Sequence, residues 1–340
     1  MRCDVRFGPW FWIGVVLVSA GAGALYGLLF GSVHPAISAF YGACTGTLLF
    51  VFERRLILSG LQARLRRLST PLYLIGTEAC YVVLIVLGNA AAGSVLWAAG
   101  MLDETLAEAT LPTMRVILYS LAVAAIVGFV LRMRDLIGTE MFVNLLIGRY
   151  HKPVSEERIF LFIDLVGSTS LAEDIGDMRF QELLGDFMAT LGEPVRRYRG
   201  SIDDYIGDMA MVTWPLERGI KDARCLHVIR AIREQFDREA AAWHAKFGLK
   251  PHFRVALHCG PIVTADVGVD KHKIAYFGDT VNTTSRLEAL CRDLSESVLV
   301  SSDLLARLQI PAGFEFEDLG PRALRGRDQP LGLFALRSLP

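Results

Sequence analysis

Apolar residues follow two different rhythms along this chain. Before residue 135 they come in long, nearly uninterrupted runs, at about residues 10–30, 36–52, 73–98 and 114–131. A helix needs about 20 apolar residues to cross the hydrocarbon core of a bilayer, within a range of roughly 17–25. The second run reaches that length by fraying into the interface over residues 33–57, and the third is long enough to tilt. After residue 158 the runs shorten to strand length and alternate with segments of helical period.

The second rhythm predicts a mixed domain. Residues 159–164 form a short apolar run suited to a buried strand. Val166-Gly167-Ser168-Thr169 follows, where Ser168 or Thr169 can cap a helix that extends to about residue 197. Residues 200–205 and 209–214 read as two strands around a hairpin turn, Ile206-Gly207-Asp208. A second long helix covers about residues 219–247. Strands are expected at 253–258, 262–267, 273–277 and 297–300, with a helix over 279–290. The order begins β-α-β-β-α-β, a ferredoxin-like pattern, and continues with further β and α elements.

Between the halves, Leu136, Ile137, Met141, Phe142, Leu145, Leu146 and Ile147 recur at helical spacing until Gly148 and Pro153 break the pattern. This helix would leave the fourth run directly. It can pair with its copy in a dimer and transmit rotation, or serve as a passive linker. The expected organisation is a membrane domain with four transmembrane helices at 1–133, a helical connector at 134–157, and an α+β domain at 158–340.

Composition and charge sharpen this division. Hydrophobic residues make up 52% of the 340, and the mean hydropathy is +0.38. That excess must fill a very large core or sit in lipid, and its concentration before residue 135 places it in lipid. Arg54, Arg55, Arg64, Arg66 and Arg67 separate the second and third runs. Arg2 and Arg6 precede the first run, and Arg132 and Arg134 follow the fourth. The segment between the third and fourth holds Asp103, Glu104 and Glu108, with no basic residue before Arg115. Positive flanks stay in the cytoplasm, so both termini and the α+β domain are expected there, on an inner membrane. Arg115 is the one misfit and would snorkel outward. Glu78, inside the third run, is a functional candidate by position, but lies close enough to the cytoplasmic end to snorkel as well. A net charge of −1 provides no basic field for nucleic acid. The six cysteines are scattered without a CxxC pair, so they are expected to be reduced, with neither a disulfide framework nor a metal site. No cleavable signal peptide is expected, because the first run leads into further runs.

Chemistry gathers in the second half. Asp164 ends a strand before a glycine-bearing turn, and Asp208 sits at a hairpin tip. If those strands are neighbours, the two carboxylates face each other, an arrangement suited to Mg²⁺ shared with phosphates. Two such ions can activate a hydroxyl and stabilise a leaving pyrophosphate. The amides of Gly167, Ser168 and Thr169 would point at phosphate oxygens. Asn282 and Arg286 lie four apart on one helical face, where an amide and a guanidinium can orient a ribose and neutralise phosphoryl charge. Taken alone, such a pair more often serves surface hydrogen bonding.

Four ordered segments carry a resemblance. Ile159-Phe-Leu-Phe-Ile-Asp-Leu-Val-Gly-Ser-Thr resembles the first metal motif of class III adenylyl and guanylyl cyclases. Tyr205-Ile-Gly-Asp-Met-Ala-Met-Val resembles their second metal motif, and Arg254-Val-Ala-Leu-His-Cys-Gly-Pro-Ile-Val their following strand pair. Tyr276-Phe-Gly-Asp-Thr-Val-Asn-Thr-Thr-Ser-Arg-Leu-Glu resembles their most diagnostic segment. The likeness covers about residues 155–338. It implies that Asp164 and Asp208 bind two Mg²⁺ or Mn²⁺ per site, joined by the Leu165 carbonyl. It makes Asn282 and Arg286 the transition-state pair. Arg325 and Arg327 fall where the family places a triphosphate-binding lysine, with Arg327 the better fit. Because the family builds its sites across a head-to-tail dimer, and this chain carries both halves, a homodimer with two sites is implied. The implied reaction is attack of the ribose 3′-oxygen on the α-phosphorus, releasing pyrophosphate.

The chain departs from the family pattern where the base is read. Asp204 stands where adenylyl cyclases usually carry a lysine and guanylyl cyclases a glutamate. Ala275 stands where an Asp or Thr, or in guanylyl cyclases often a cysteine, is usual. Asp204 can accept from guanine or from adenine, or be a solvated turn residue beside Asp203. The combination of Tyr-Ile-Gly-Asp with Tyr-Phe-Gly-Asp-Thr-Val-Asn resembles a bacterial membrane-bound subgroup regarded as adenylyl cyclases, which favours ATP over GTP. Asp279 is assigned the helix cap rather than a metal. A silent, cyclase-like receptor remains an alternative, and membrane lipid is an expected partner. A diguanylate cyclase is excluded by the absence of GG[DE]EF.

Overall fold

The computed structural model describes residues 8–31, 34–54, 56–65, 68–138, 142–144, 147–150, 152–268, 273–325 and 329–338. The chain divides into two compact units, Met1–Leu136 and Ile137–Pro340.

The first unit consists of α1 (Pro9–Phe30), α2 (Pro35–Glu53), α3 (Ser59–Leu65), α4 (Thr70–Ala98), α5 (Leu106–Thr110) and α6 (Met114–Ile137). Helices α1, α2, α4 and α6 are long and apolar enough to cross a membrane. Proline occupies the first turn of α1, α2 and α4, where its missing N–H would have had no partner anyway. The packing of α1 on α2 depends on glycine. A Cβ on Gly23 would lie 2.1 Å from the Ser38 carbonyl oxygen, and one on Gly42 would lie 2.6 Å from the Gly23 Cα. Backbones meet this closely in membrane helix pairs because lipid supplies no hydrophobic drive and packing must hold them. Asn89 on α4 is buried. It donates to the Ile85 carbonyl at 2.9 Å and to Thr45 of α2 at 3.4 Å.

Two short helices, α3 and α5, were not expected. The sequence signal for α5 is the capping box Thr105-Leu-Ala-Glu108, which the structure forms. The connector also differs from expectation. Its helical period predicts continuation to Gly148, but α6 stops at Ile137 and Gly138 takes a left-handed φ of 83°. Among the described residues that follow, 142–144 are helical. Met141, Leu145 and Leu146 lie outside the described residues.

The second unit contains β1 (Val154–Leu165), α7 (Ser168–Ile175), α8 (Asp177–Arg197), β2 (Ser201–Ile206) and β3 (Met209–Pro215). Then come α9 (Leu216–Ile220), a 3₁₀ turn, α10 (Arg224–Arg238), α11 (Ala240–Phe247), β4 (Phe253–Val267) and β5 (Lys273–Phe277). The last elements are α12 (Asp279–Asp293), β6 (Val298–Ser301), α13 (Ser302–Leu305), β7 (Glu315–Arg322) and β8 (Leu331–Ser338). The sheet order is β2-β3-β1-β4-β6-β8-β7, with β5 also paired to β4. Only the β4–β6 pairing is parallel. The first four strands reproduce the ferredoxin-like order.

Three expectations need correction here. The helix expected over about 168–197 is two helices, because Gly176 adopts φ 80° between them. The helix expected over 219–247 is broken at Asp222 and Ala223, both left-handed, and again at Glu239. The strands expected at 253–258 and 262–267 are one strand. Pro261 is tolerated inside it because β6 pairs only with residues 255–257 and β5 only with 263–267. Between these, β4 has a neighbour on one side alone, so a missing N–H disrupts no second ladder.

Replacing Gly42 by leucine is therefore expected to lower the thermal midpoint of the detergent-solubilised chain, through overpacking of about 1–3 kcal/mol. Gly128→Leu, at a position whose Cβ would meet nothing within 4 Å, should leave the midpoint nearly unchanged. Differential scanning fluorimetry of both variants checks this.

Candidate active site

Strand β1 alternates with period two, and its two faces have different duties. Ile159, Leu161, Ile163 and Leu165 join one core with Leu183 and Phe187 of α8 and Ile229 and Ile232 of α10. Phe160 and Phe162 pack on the other face with Met211, Ile262, Tyr276 and Val281. Arg158 and Asp164 share the parity of this second face, which β5 and α12 cover.

Asp164 is only 6% exposed. Its partner in the β1–β3 ladder is Met209, so Asp208, in the turn just before, is its neighbour. Gly207, at φ 65°, makes that turn possible. On the β4 side, Asp164 stands opposite Arg254, and α12 contributes Glu288. Burial, then Asp208, then Glu288 push the Asp164 carboxyl up to about 7, with Arg254 acting in the opposite direction. Three carboxylates thus press on one buried position with one guanidinium beside them. A divalent cation fits this arrangement, because it would relieve the like-charge repulsion. Among the described residues no group of three or more His, Cys, Asp or Glu could hold a metal by itself. The available protein ligands are Asp164, Asp208 and the carbonyl of Leu165, so phosphates and water would complete a coordination shell, as is usual for Mg²⁺.

Helix α7 begins directly after β1. Gly167 is its N-cap in the left-handed region, and no side chain caps it. Ser168 and Thr169 are the first helical residues rather than the expected cap, and first-turn amides lack intrahelical partners. The N-terminus therefore offers N–H groups next to the carboxylate pair.

Asn282 and Arg286 lie on α12. Asn282 is exposed and Arg286 half-buried. Asp279 was expected to cap this helix, but the N-cap is Gly278 and no side-chain cap forms. Asp279 instead accepts from the Thr283 hydroxyl at 3.0 Å and lies 3.6 Å from the Arg286 Nη1. That Nη1 is buried with no hydrogen-bond partner among the described residues. Arg325 is exposed between β7 and β8, and Arg327 lies outside the described residues.

The two positions expected to face the base lie on β2 and β5. Ala275 is half-buried and pairs with Ala265 of β4. Asp204 is in a strand, not a turn, and forms an ion pair with Lys273 at 2.5 Å. Beside it, Asp203 accepts from the hydroxyls of Thr213 at 2.6 Å and Tyr276 at 2.5 Å. Arg158, 3% exposed, donates to Thr213 at 2.7 Å and Tyr276 at 2.8 Å, and lies 3.1 Å from Glu156. Burial, followed by the Asp203 charge, drives the Tyr276 hydroxyl well above its usual range. Sequence reasoning missed Arg254, Glu288, Arg158 and Lys273. Arg254 and Glu288 each had one signal, a place in a motif segment of the sequence. Arg158 and Lys273 depend on register.

Comparison with known proteins agrees with this construction. The family profile described as the adenylate and guanylate cyclase catalytic domain matches residues 151–337. The chain is 47% identical to adenylate cyclase 2 of Rhizobium meliloti (strain 1021) over 331 residues, which cover 97% of this chain and 91% of that protein. It is 26% identical to the adenylate cyclase of Anabaena cylindrica over 184 residues, 52% of this chain but 36% of that longer protein. A bacterial light-regulated adenylyl cyclase superposes with a TM-score of 0.57 at 17% identity, over 66% of this chain and 64% of that one, a likeness of fold. With a carboxylate pair at the end of β1, an eight-stranded mixed sheet of matching fold and a relative similar along nearly its whole length, the chain belongs to the class III adenylate and guanylate cyclase family.

Proposed function

We propose that this protein is a membrane-bound adenylate cyclase that converts ATP to cyclic AMP and pyrophosphate at a homodimer interface. The observation that carries the reading is the pairing of buried Asp164 with half-buried Asp208, present on the same chain as Asn282 and Arg286. The extended likeness to a protein named adenylate cyclase 2 supports ATP as the substrate. The apolar helices and their arginine-rich flanks support an inner-membrane anchor with the catalytic domain in the cytoplasm.

In this reading Asp164, Asp208 and the Leu165 carbonyl of one subunit hold two Mg²⁺ or Mn²⁺ ions. When bound with the triphosphate, these would supply Lewis-acid activation of the ribose hydroxyl and charge neutralisation on the leaving group. The amides at Gly167, Ser168 and Thr169 bind phosphate oxygens. Asn282 of the other subunit orients the ribose. Arg286 neutralises charge building on the α-phosphate, as a positioned guanidinium can. Arg325 and Arg327 hold the triphosphate. The 3′-hydroxyl gives its proton to solvent or to the leaving pyrophosphate as its oxygen bonds to the α-phosphorus, the bond from that phosphorus to the bridging oxygen breaks, and pyrophosphate leaves.

The full chain in detergent with Mn²⁺ should make cyclic AMP from ATP, and far less cyclic GMP from GTP, by product chromatography. Asp208→Ala should abolish product, and Asn282→Ala or Arg286→Ala should lower kcat about 100-fold. Preferential cyclic GMP would overturn the substrate assignment, and silence with both nucleotides the cyclase assignment.

The dimer has its own test. Asp208→Ala and Asn282→Ala chains, each inactive alone, should recover roughly a quarter of wild-type activity when co-expressed. Half of randomly paired dimers would be mixed, and each mixed dimer has one intact site of two. No recovery would argue for sites within one chain.

The raised Asp164 pKa sets a pH dependence. Its proton competes with metal, so Mn²⁺ affinity measured by calorimetry should fall as pH drops through about 7. In the metal-free protein the unfolded chain releases this proton nearer pH ~4. The fold is therefore penalised as pH rises from there through about 7. Asp164→Asn should raise the melting temperature of metal-free protein at pH 8 and leave it nearly unchanged at pH 4.

A further inference from the structure

Helix α6 is tied to the rest of its unit at a few places. Tyr119 donates to the Ala22 carbonyl of α1 at 2.7 Å. Near the other end of the helix, Arg132 lies 3.6 Å from Glu53 of α2, and Glu53 also accepts from Tyr81 of α4 at 2.5 Å. Leu121 and Ala124 reach a small apolar cluster of Phe52, Tyr81 and Leu84. Alongside these ties lies a cavity of about 1080 Å³, walled by α1, α2, α4 and α6, with α5 at one end. It is larger than most small-molecule sites, which span roughly 300–1,000 Å³. It also interrupts the close packing that holds membrane helices together.

The walls are apolar along the body of the cavity, with Val15, Val18, Leu49, Val123, Val127 and Leu131 among them. The larger polar groups on the walls are already bonded within the protein. Tyr41 donates to the Ala109 carbonyl, Tyr119 to Ala22, and Asn89 to Ile85 and Thr45. An empty void forfeits dispersion contacts along its whole lining, and in a bilayer the filler at hand is an acyl chain.

The charges stand at the α5 end, where Glu104, Glu108 and Arg115 line the cavity. Glu108 is engaged in the capping box, accepting from the Thr105 amide at 2.9 Å and its hydroxyl at 2.7 Å. Glu104 and Arg115 are exposed and form no ion pair among the described residues. Arg115, the one basic residue that departs from the positive-inside pattern, stands 5.9 Å from the centre of the Phe30 ring. An anionic headgroup here would confront Glu104, and a cationic one would confront Arg115. A zwitterion meets both.

We propose that this cavity holds one phospholipid with a zwitterionic, primary-amine headgroup, of the phosphatidylethanolamine class. Arg115 takes the phosphate through charge-assisted hydrogen bonds. Glu104 accepts from the ammonium, which has three N–H donors. An acyl chain fills the space between α6 and the α1–α2 pair. The inference rests on the membrane reading of the first unit and is independent of the cyclase reading of the second.

Native mass spectrometry of the full chain, extracted from membranes in mild detergent, tests this. Wild type should retain one phospholipid per chain. Titrated with phosphatidylethanolamine and phosphatidylglycerol of the same acyl chains, it should bind the first about tenfold more tightly. Glu104→Gln should abolish that preference, and Arg115→Gln should weaken both lipids about tenfold. Both side chains are exposed, so neither change threatens the fold. Val123→Phe fills the cavity and leaves both charges in place, and it should expel the lipid. Glycerophosphoethanolamine, the same headgroup without acyl chains, should not compete. A wild type that retains no phospholipid, or that binds the two lipids equally, would overturn the proposal. So would retention of the lipid by Val123→Phe, which would place it outside the cavity, or competition by the chainless headgroup. Flotation with lipid vesicles tests the membrane reading separately. A chain that does not float overturns both readings, and one that floats without a retained phospholipid overturns this one alone.

Discussion

Strand β1 is hydrogen-bonded along both sides, to β3 and to β4, and the catalytic unit is positioned by that double pairing. A strand paired twice cannot slip without moving every side chain to the wrong face. Its odd-numbered residues from Ile159 to Leu165 are buried under helices, and its even-numbered residues from Arg158 to Asp164 lie on the other face. The same register therefore packs the core and delivers Asp164 to the β2–β3 turn. Core packing and site geometry depend on a single constraint here, so a core substitution that shifted β1 would also displace its carboxylate.

The second face of the sheet carries buried charge, Arg158 and Asp164. Arg158, Asp203, Tyr276 and Thr213 form a mutually hydrogen-bonded polar set beneath β5. At the far end of the strand, Asp164 is surrounded by carboxylates and is not satisfied in the same way. Burial of an unbalanced charge is costly, and the raised Asp164 pKa expresses that cost. One end of the face is thus hydrogen-bonded within the protein, and the other carries an excess of negative charge. Close backbone contacts at Gly23 and Gly42 perform the corresponding organising role in the first unit. There, shape acts beside a small apolar cluster of Phe52, Tyr81 and Leu84.

Much of this was legible from residue order. The four apolar runs appear as α1, α2, α4 and α6, with differences of a few residues at their ends. The Ile206-Gly207-Asp208 hairpin and the strand ending at Asp164 also appear as read. Turn chemistry and hydrophobic period are local properties, and no distant contact overrode them at those places. Where the reading failed, a backbone conformation intervened that the hydrophobic period does not register. Gly138 and Gly176 interrupt helices whose apolar spacing continues across them, and Asp222 and Ala223 do so without any glycine to signal it. Pro261 produced the opposite error, since its tolerance depends on which neighbours β4 lacks at that point.

Residue order by itself determined which segments are apolar enough for lipid, which are strands and helices of the α+β unit, and which carboxylates, amide and guanidinium end in loops and helix starts. It could not determine which of them meet. Arg254 and Glu288 beside Asp164, Arg158 beneath Tyr276, and Lys273 against Asp204 all join residues far apart in the chain. Their meeting depends on strand register and on one bulge in β2, where the pairing with β3 shifts between Ile202 and Asp204. A single-residue shift reverses the face on which a strand side chain stands, and no local pattern records it. Only the assembled sheet decided those pairings.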